Sequence, residues 1–130
     1  MVTMTEAQSS PLVAIVDDDV SVRDSLHRLI RSVGLSARAF ASAQAFLNSN
    51  LLSETTCLIL DVVMPEMNGL ELQRRLVEAK VRIPIIFITA HAAPGTKEKA
   101  LNAGAVGFLN KPFNETELLS AVNAAISRRE

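Results

Sequence analysis

Apolar residues fall along this chain in two patterns. The first is the continuous run: Leu12-Val13-Ala14-Ile15-Val16, Cys57-Leu58-Ile59-Leu60 and Ile85-Ile86-Phe87-Ile88. The first run meets Asp17-Asp18-Asp19, the second Asp61 and the third Thr89. Runs of this length read as strands buried on both faces, so each closing polar residue falls at the carboxyl edge of a sheet. Leu35 to Phe40 and Val106 to Leu109 are shorter, weaker strand candidates.

The second pattern has helical spacing. Val22, Leu26, Leu29, Ile30 and Val33 share one helical face, and Gly34 follows where a C-terminal cap is expected. Ser42 can cap a short helix over Ala43 to Asn48, and Leu51 to Thr56 reads as loop. Asn68 to Ala79 reads as a third helix with Leu70, Leu72, Leu76 and Val77 apolar, although Gly69 near its start is out of place there. A fourth helix lies within Thr96 to Asn102, loosely started after Pro94-Gly95 and stopped near Gly104. Asn114, with Glu117 three residues on, is a capping-box-like start to a fifth, whose core face is Leu118, Leu119, Val122 and Ile126. Phe40, Phe46, Phe87 and Phe113 read as core.

Five strands alternating with five helices predict an α/β fold, a doubly wound parallel sheet covered on both faces. A length of 130 residues suits one domain. The polar, small residues 1–10 read as a flexible N-terminal tail and residues 11–130 as the folded domain.

Composition narrows the function classes. A formal net charge of −1 gives no basic field for nucleic acid and no polybasic patch for a membrane. The absence of Trp and Tyr weakens any case for a base-stacking platform. The lone Cys57 excludes an internal disulfide framework and reads as a small core hydrophobe in a reducing compartment. No signal peptide or membrane-spanning run is read, so the expected location is the cytoplasm.

In a doubly wound sheet the strand ends share one edge, where such folds place their chemistry. There Asp17, Asp18 and Asp61 converge with Thr89 and, near the end of the last strand, Lys111. Carboxylates held close repel unless a cation or proton is supplied, and oxygen-only ligands suit a hard ion such as Mg²⁺ or Mn²⁺. A carboxylate can accept a phosphoryl group, a lysine can neutralise the charge that develops, and a hydroxyl can bond a phosphoryl oxygen. Taken singly, Asp17 and Asp18 read as a solvated strand end, Lys111 as a surface lysine and Thr89 as a residue of high β-propensity. Their joint placement favours a site. His91, without a nearby ligand set, reads as a solvated loop residue.

The chain resembles the receiver domain of two-component response regulators, the CheY-like family. The resemblance rests on Asp17-Asp18 after Ile15-Val16, Leu60-Asp61-Val62-Val63-Met64-Pro65 with Asn68-Gly69 behind it, Ile88-Thr89-Ala90, and Phe108-Leu109-Asn110-Lys111-Pro112-Phe113. It runs from about Leu12 to the end, and its motifs occur in the family's order. It implies a flavodoxin-like sheet of strand order 2-1-3-4-5 with Asp61 as phosphoacceptor. Asp18 and Asp61 would bind Mg²⁺ (or Mn²⁺) directly, Asp17 directly or through water, and Val63 through its backbone carbonyl. Lys111 would pair with the phosphoryl group next to a cis peptide to Pro112. Thr89 and Phe108 would be the switch, altering the surface of helix 4, strand 5 and helix 5. A sensor histidine kinase is the implied partner, docking near Val20 and Arg23. A downstream protein or an attached output domain is the implied target, with phosphorylation-dependent homodimerisation among the output modes, and neither nucleic acid nor membrane is contacted by this chain. No helix-turn-helix or cyclase is read after the last helix, so the chain is either a stand-alone receiver or part of a longer protein. Two departures stand out: Asp19 adds a third acid to the first cluster, read as a helix start, and Phe108 replaces the usual switch Tyr and so lacks its hydroxyl.

Three other functions fit parts of the sequence less well. Haloacid-dehalogenase-like phosphatases and phosphotransferases place a second Asp two residues after the nucleophile, where this chain has Val63. A flavodoxin-like cofactor module needs a Ser/Thr/Gly-rich phosphate loop after the first strand, where Asp17-Asp18-Asp19 would repel phosphate. A pseudo-receiver, a scaffold never phosphorylated, is disfavoured by the complete set of acids, threonine and lysine.

Overall fold

The structure, a computed structural model, describes residues 11–129. The tail expected over residues 1–10 lies outside the described residues. The elements alternate: β1 Leu12–Val16, α1 Val20–Ser32, β2 Ser36–Phe40, α2 Ala43–Asn48, β3 Cys57–Asp61, α3 Gly69–Glu78, β4 Ile85–Thr89, α4 Thr96–Asn102, β5 Gly107–Asn110 and α5 Glu115–Arg129. All strand pairs are parallel and the order is β2-β1-β3-β4-β5, as expected. The three continuous apolar runs are the three central strands, and the two weak candidates are the edges. That follows from burial: β3 and β4 are buried at every position, whereas β2 buries only Ala37 fully.

The sheet separates two apolar layers. On one face Phe46 of α2, Leu72 and Leu76 of α3 and Ala100 of α4 pack on Ala14, Leu58, Leu60 and Phe87. On the other, Leu26 and Ile30 of α1 and Leu118, Val122 and Ala125 of α5 pack on Val13, Ile15, Ile59, Ile86 and Ile88. Alternate residues of each central strand therefore feed different layers, as a period of two requires. Cys57 is buried among the second set, and burial pushes its thiol up to about 12.

Four expectations are revised. Val33 is the C-cap of α1, turned away from the helical face and exposed. Val77 is exposed on α3. The expected loop over Leu51 to Thr56 contains a 3₁₀ turn, Leu52–Glu54, closed by a bond from the buried Thr55 hydroxyl to the Leu51 carbonyl at 2.8 Å. Phe46 and Phe87 are fully buried, but Phe40 and Phe113 only pack against the margins of the two layers. No helix among the described residues is long and apolar enough to cross a membrane.

Candidate functional site at the carboxyl edge of the sheet

Because the strands are parallel, their last residues Val16, Asp61, Thr89 and Asn110 lie along one edge. Backbone bonds tie the segments that leave it. The Asp17 N–H donates to the Phe40 carbonyl at 3.2 Å, the Val62 N–H to the Ile88 carbonyl at 3.1 Å, and the Lys111 N–H to the Thr89 carbonyl at 2.8 Å. The Lys111–Pro112 peptide is cis, as the family resemblance implied.

Lys111 joins the two buried acids. Its Nζ lies 3.0 Å from Asp17 Oδ2 and 3.3 Å from Asp61 Oδ2. Asp17 Oδ1 accepts the Asp19 N–H at 2.9 Å, and Asp61 Oδ1 accepts the Val63 N–H at 3.2 Å. Asp18 is exposed, yet it offers an oxygen to a group in which oxygens of Asp17, Asp18 and Asp61 all lie within 4.8 Å of one another. Two buried carboxylates thus share one ammonium, with a third carboxylate beside them. Burial first, and then the charge of Asp17, push the Asp61 carboxyl up to about 6, against the opposing pull of Lys111 and the Val63 N–H. Burial pulls the Lys111 ammonium down, but its pairing with Asp17 and then Asp61 outweighs this and leaves its pKa raised.

The donor set fits a hard divalent cation, being carboxylate oxygens alone. Asp17 Oδ2 adds a specific sign: it is buried and ion-paired with Lys111, but accepts no hydrogen bond of good geometry. An anionic oxygen in that condition has capacity left for a cation. Asp17, Asp18 and Asp61 are therefore the residues that could hold Mg²⁺.

Local sequence explains why the loops hold these positions. Asp19 caps α1, its Oδ1 accepting the N–H groups of Ser21 at 2.8 Å and Val22 at 3.3 Å, so the third acid belongs to the helix and not to the cluster. Gly69 is where it is because α3 starts against the end of β3. A Cβ there would clash with the Asp61 carbonyl oxygen and come within 3.1 Å of Val62 Cα, while the Gly69 N–H donates to the Val62 carbonyl at 2.9 Å. Asn68 and Glu71 form a reciprocal capping box, both bonds 2.9 Å, which fixes the first turn of α3 behind the Asp61 loop. The sequence reading did not single out this box, although Asn-x-x-Glu at 68–71 carries its spacing. At Asn114 the Glu117 N–H is accepted at 3.1 Å.

Thr89 is fully buried at the shared edge, but its hydroxyl donates to the His91 carbonyl at 3.1 Å; among the described residues it makes no hydrogen bond to Asp61 or Lys111. Phe108 is half-buried, its ring 6.1 Å from that of Phe87 at 41°. The Val63 side chain and His91 are exposed beside the site. Two contacts escaped the sequence reading of the site region, which took Arg23 only as a docking position and did not single out Gln73. Arg23 Nη1 donates to the Asp17 carbonyl at 2.9 Å, and the buried Gln73 of α3 donates to the Ala100 carbonyl of α4 at 3.0 Å. Neither carries a motif: arginine and glutamine on amphipathic helices ordinarily read as solvated.

A model of the response regulator receiver domain matches residues 13–123 of the chain. The chain belongs to this family. Among curated proteins, nodulation protein W of Bradyrhizobium diazoefficiens is 48% identical over 124 residues, covering 95% of this chain and 55% of that protein. Response regulator protein TodT of Pseudomonas putida is 51% identical over 115 residues, covering 88% of this chain and 51% of that protein. The solved structure of response regulator StyR aligns with a TM-score of 0.86 at 43% identity, over 91% of this chain and 60% of that one. The receiver therefore spans about half the length of the curated relatives it matches. As a response regulator receiver domain of two-component signalling, it is a member of a family of signalling switches.

Proposed function

We propose that Asp61 is the phosphoacceptor of this receiver, in a reaction dependent on Mg²⁺ or Mn²⁺, and that the receiver domain comprises residues 11–130. The observation that carries this reading is the single ammonium of Lys111 shared between buried Asp17 and Asp61 beside a third acid. Such a pocket lacks positive charge, which a divalent cation would supply and an incoming phosphoryl group would need. With a sensor histidine kinase as donor, an Asp61 oxygen forms a bond to phosphorus as the donor's P–N bond breaks. The imidazole nitrogen leaves with the electron pair and is protonated from solvent. Asp17, Asp18, Asp61 and the Val63 carbonyl would hold the cation, which would supply neutralisation for the phosphoryl oxygens. Lys111 meets the remaining negative charge, so catalysis here is positioning and charge stabilisation. Attack of water on phosphorus restores the Asp61 carboxylate, and the protein acts on no outside substrate.

The product is a local charge change beside a two-state element. Thr89 exchanges its bond to His91 for a phosphoryl oxygen, Phe108 turns inward beside Phe87, and the surface of α4, β5 and α5 changes. Its readers are a downstream protein, an attached output domain or a second copy of the chain, in the cytoplasm. The test is intact-mass spectrometry after incubation with acetyl phosphate and Mg²⁺. Wild type should gain one phosphoryl group, Asp61→Asn none, and EDTA should abolish labelling. An adduct persisting in Asp61→Asn, or labelling at the same rate in EDTA, would sink the assignment. An unlabelled wild type would point to a binding scaffold.

A further inference from the structure

We infer that Arg23 is a positioning residue for the acidic loop, an inference that rests on the metal-dependent site proposed above. Arg23 lies near the start of α1, where its own N–H donates to the Asp19 carbonyl at 3.0 Å. A cation is the disfavoured charge at that end of a helix. Its half-buried side chain turns back past the helix end, and Nη1 donates to the Asp17 carbonyl at 2.9 Å. That carbonyl belongs to the peptide joining Asp17 to Asp18. Holding it sets the plane of the peptide and hence the directions in which both carboxylates leave the chain. The remaining anchors are on Asp17 itself, through its N–H to the Phe40 carbonyl and its Oδ1 from the Asp19 N–H. Arg23 thus fixes the bond between two oxygen donors of the cluster. The guanidinium also brings positive charge toward an anionic loop without occupying a carboxylate oxygen.

Arg23 beside the pocket also suits a contact for a docking partner, and the two roles separate when no partner protein is present. Labelling by acetyl phosphate is followed against Mg²⁺ concentration for wild type, Arg23→Met, Arg23→Lys and Val20→Ala. Val20 is exposed on the same helix start and holds nothing in the loop. Arg23→Met should need about tenfold more Mg²⁺ for half-maximal labelling, the low end of what losing an outer partner of a metal ligand costs. Arg23→Lys, which keeps a donor, should recover most of this, and Val20→Ala should match wild type. The rise in melting temperature on adding Mg²⁺ should shrink in Arg23→Met by a corresponding amount. Wild-type Mg²⁺ dependence in Arg23→Met would overturn the inference. So would a lower melting temperature in EDTA with an unchanged Mg²⁺ increment, because that is a purely structural role. If Arg23→Met does not fold, the Lys variant and the Mg²⁺ response of Arg23→Gln decide in its place. A wild type that neither labels nor gains stability from Mg²⁺ would remove the site reading itself, an outcome distinct from failure at Arg23 alone.

Discussion

Asp61 is ionised in a place that resists its charge. Burial and the neighbouring Asp17 raise its pKa from an ordinary 3.8 to about 6. The native chain therefore holds the Asp61 proton more tightly than the unfolded chain does. Between these two values folding takes up a proton, so this group's contribution to stability falls as pH rises from about 4 to about 6 and stays low above that. Asp61→Asn removes the penalty. At pH 7.5 in EDTA it should stabilise the fold by about 1–3 kcal/mol, as a shift of roughly two units implies. Near pH 4 the two proteins should converge. Urea unfolding of both at the two pH values checks this; a wild type as stable as the variant at pH 7.5 would mean that Lys111 already offsets the burial. Excess Mg²⁺ should narrow the gap by stabilising wild type alone. The acid itself was plain in the sequence, as a charge ending an apolar run. Its raised pKa was not, because that depends on how deeply the fold buries it and on how near Asp17 lies in space.

Three helices end in the same way, and one does so with the wrong residue. Beyond α1, α3 and α4 the next residues fold back with the paired bonds of a Schellman motif: Gly34 to Arg31 with Leu35 to Ile30, Lys80 to Val77 with Val81 to Leu76, and Gly104 to Leu101 with Ala105 to Ala100. Gly34 and Gly104 take the positive φ this needs, at 87° and 108°, whereas Lys80 adopts φ 61° with a side chain. Lys80 is exposed and distant in the fold from the acidic edge, so Lys80→Gly should stabilise by about 0.5–1 kcal/mol, the left-handed strain being only partly offset by the freedom glycine adds to the unfolded chain. A chemical-denaturation midpoint that moves down would refute this. The sequence made Gly34 and Gly104 legible as helix stops because glycine advertises the conformation; Lys80 does not. The same logic applies to Gly69. Its misfit inside a helical stretch was visible, but its cause, the Asp61 carbonyl and Val62 backbone against it, belongs to the packing of α3 on β3.

At the scale of the molecule, the fold was legible because its signals are periodic and local, and the contacts that lead from the site toward α4 were not, because they are neither. The loop after β3 is tied to the first turn of α3 through Gly69, and α3 is tied to the last turn of α4 by the buried Gln73 amide on the Ala100 carbonyl. That carbonyl also receives the Ala105 N–H, so one oxygen closes α4 and anchors it to α3. At its other end α4 has little: seven residues, Gly95 as N-cap and no side-chain cap bond. A helix this short depends on its packing. Gln73→Leu keeps most of the buried volume and removes the bond, so hydrogen exchange across α4 should quicken while β1 and β3 stay as protected as in wild type. Beryllofluoride with Mg²⁺, a mimic of the phosphoryl group, should alter protection over the same helix in wild type, and less so in Gln73→Leu if α3 carries part of the signal. Equal responses in the two proteins would show that the Gln73 bond carries none of the signal.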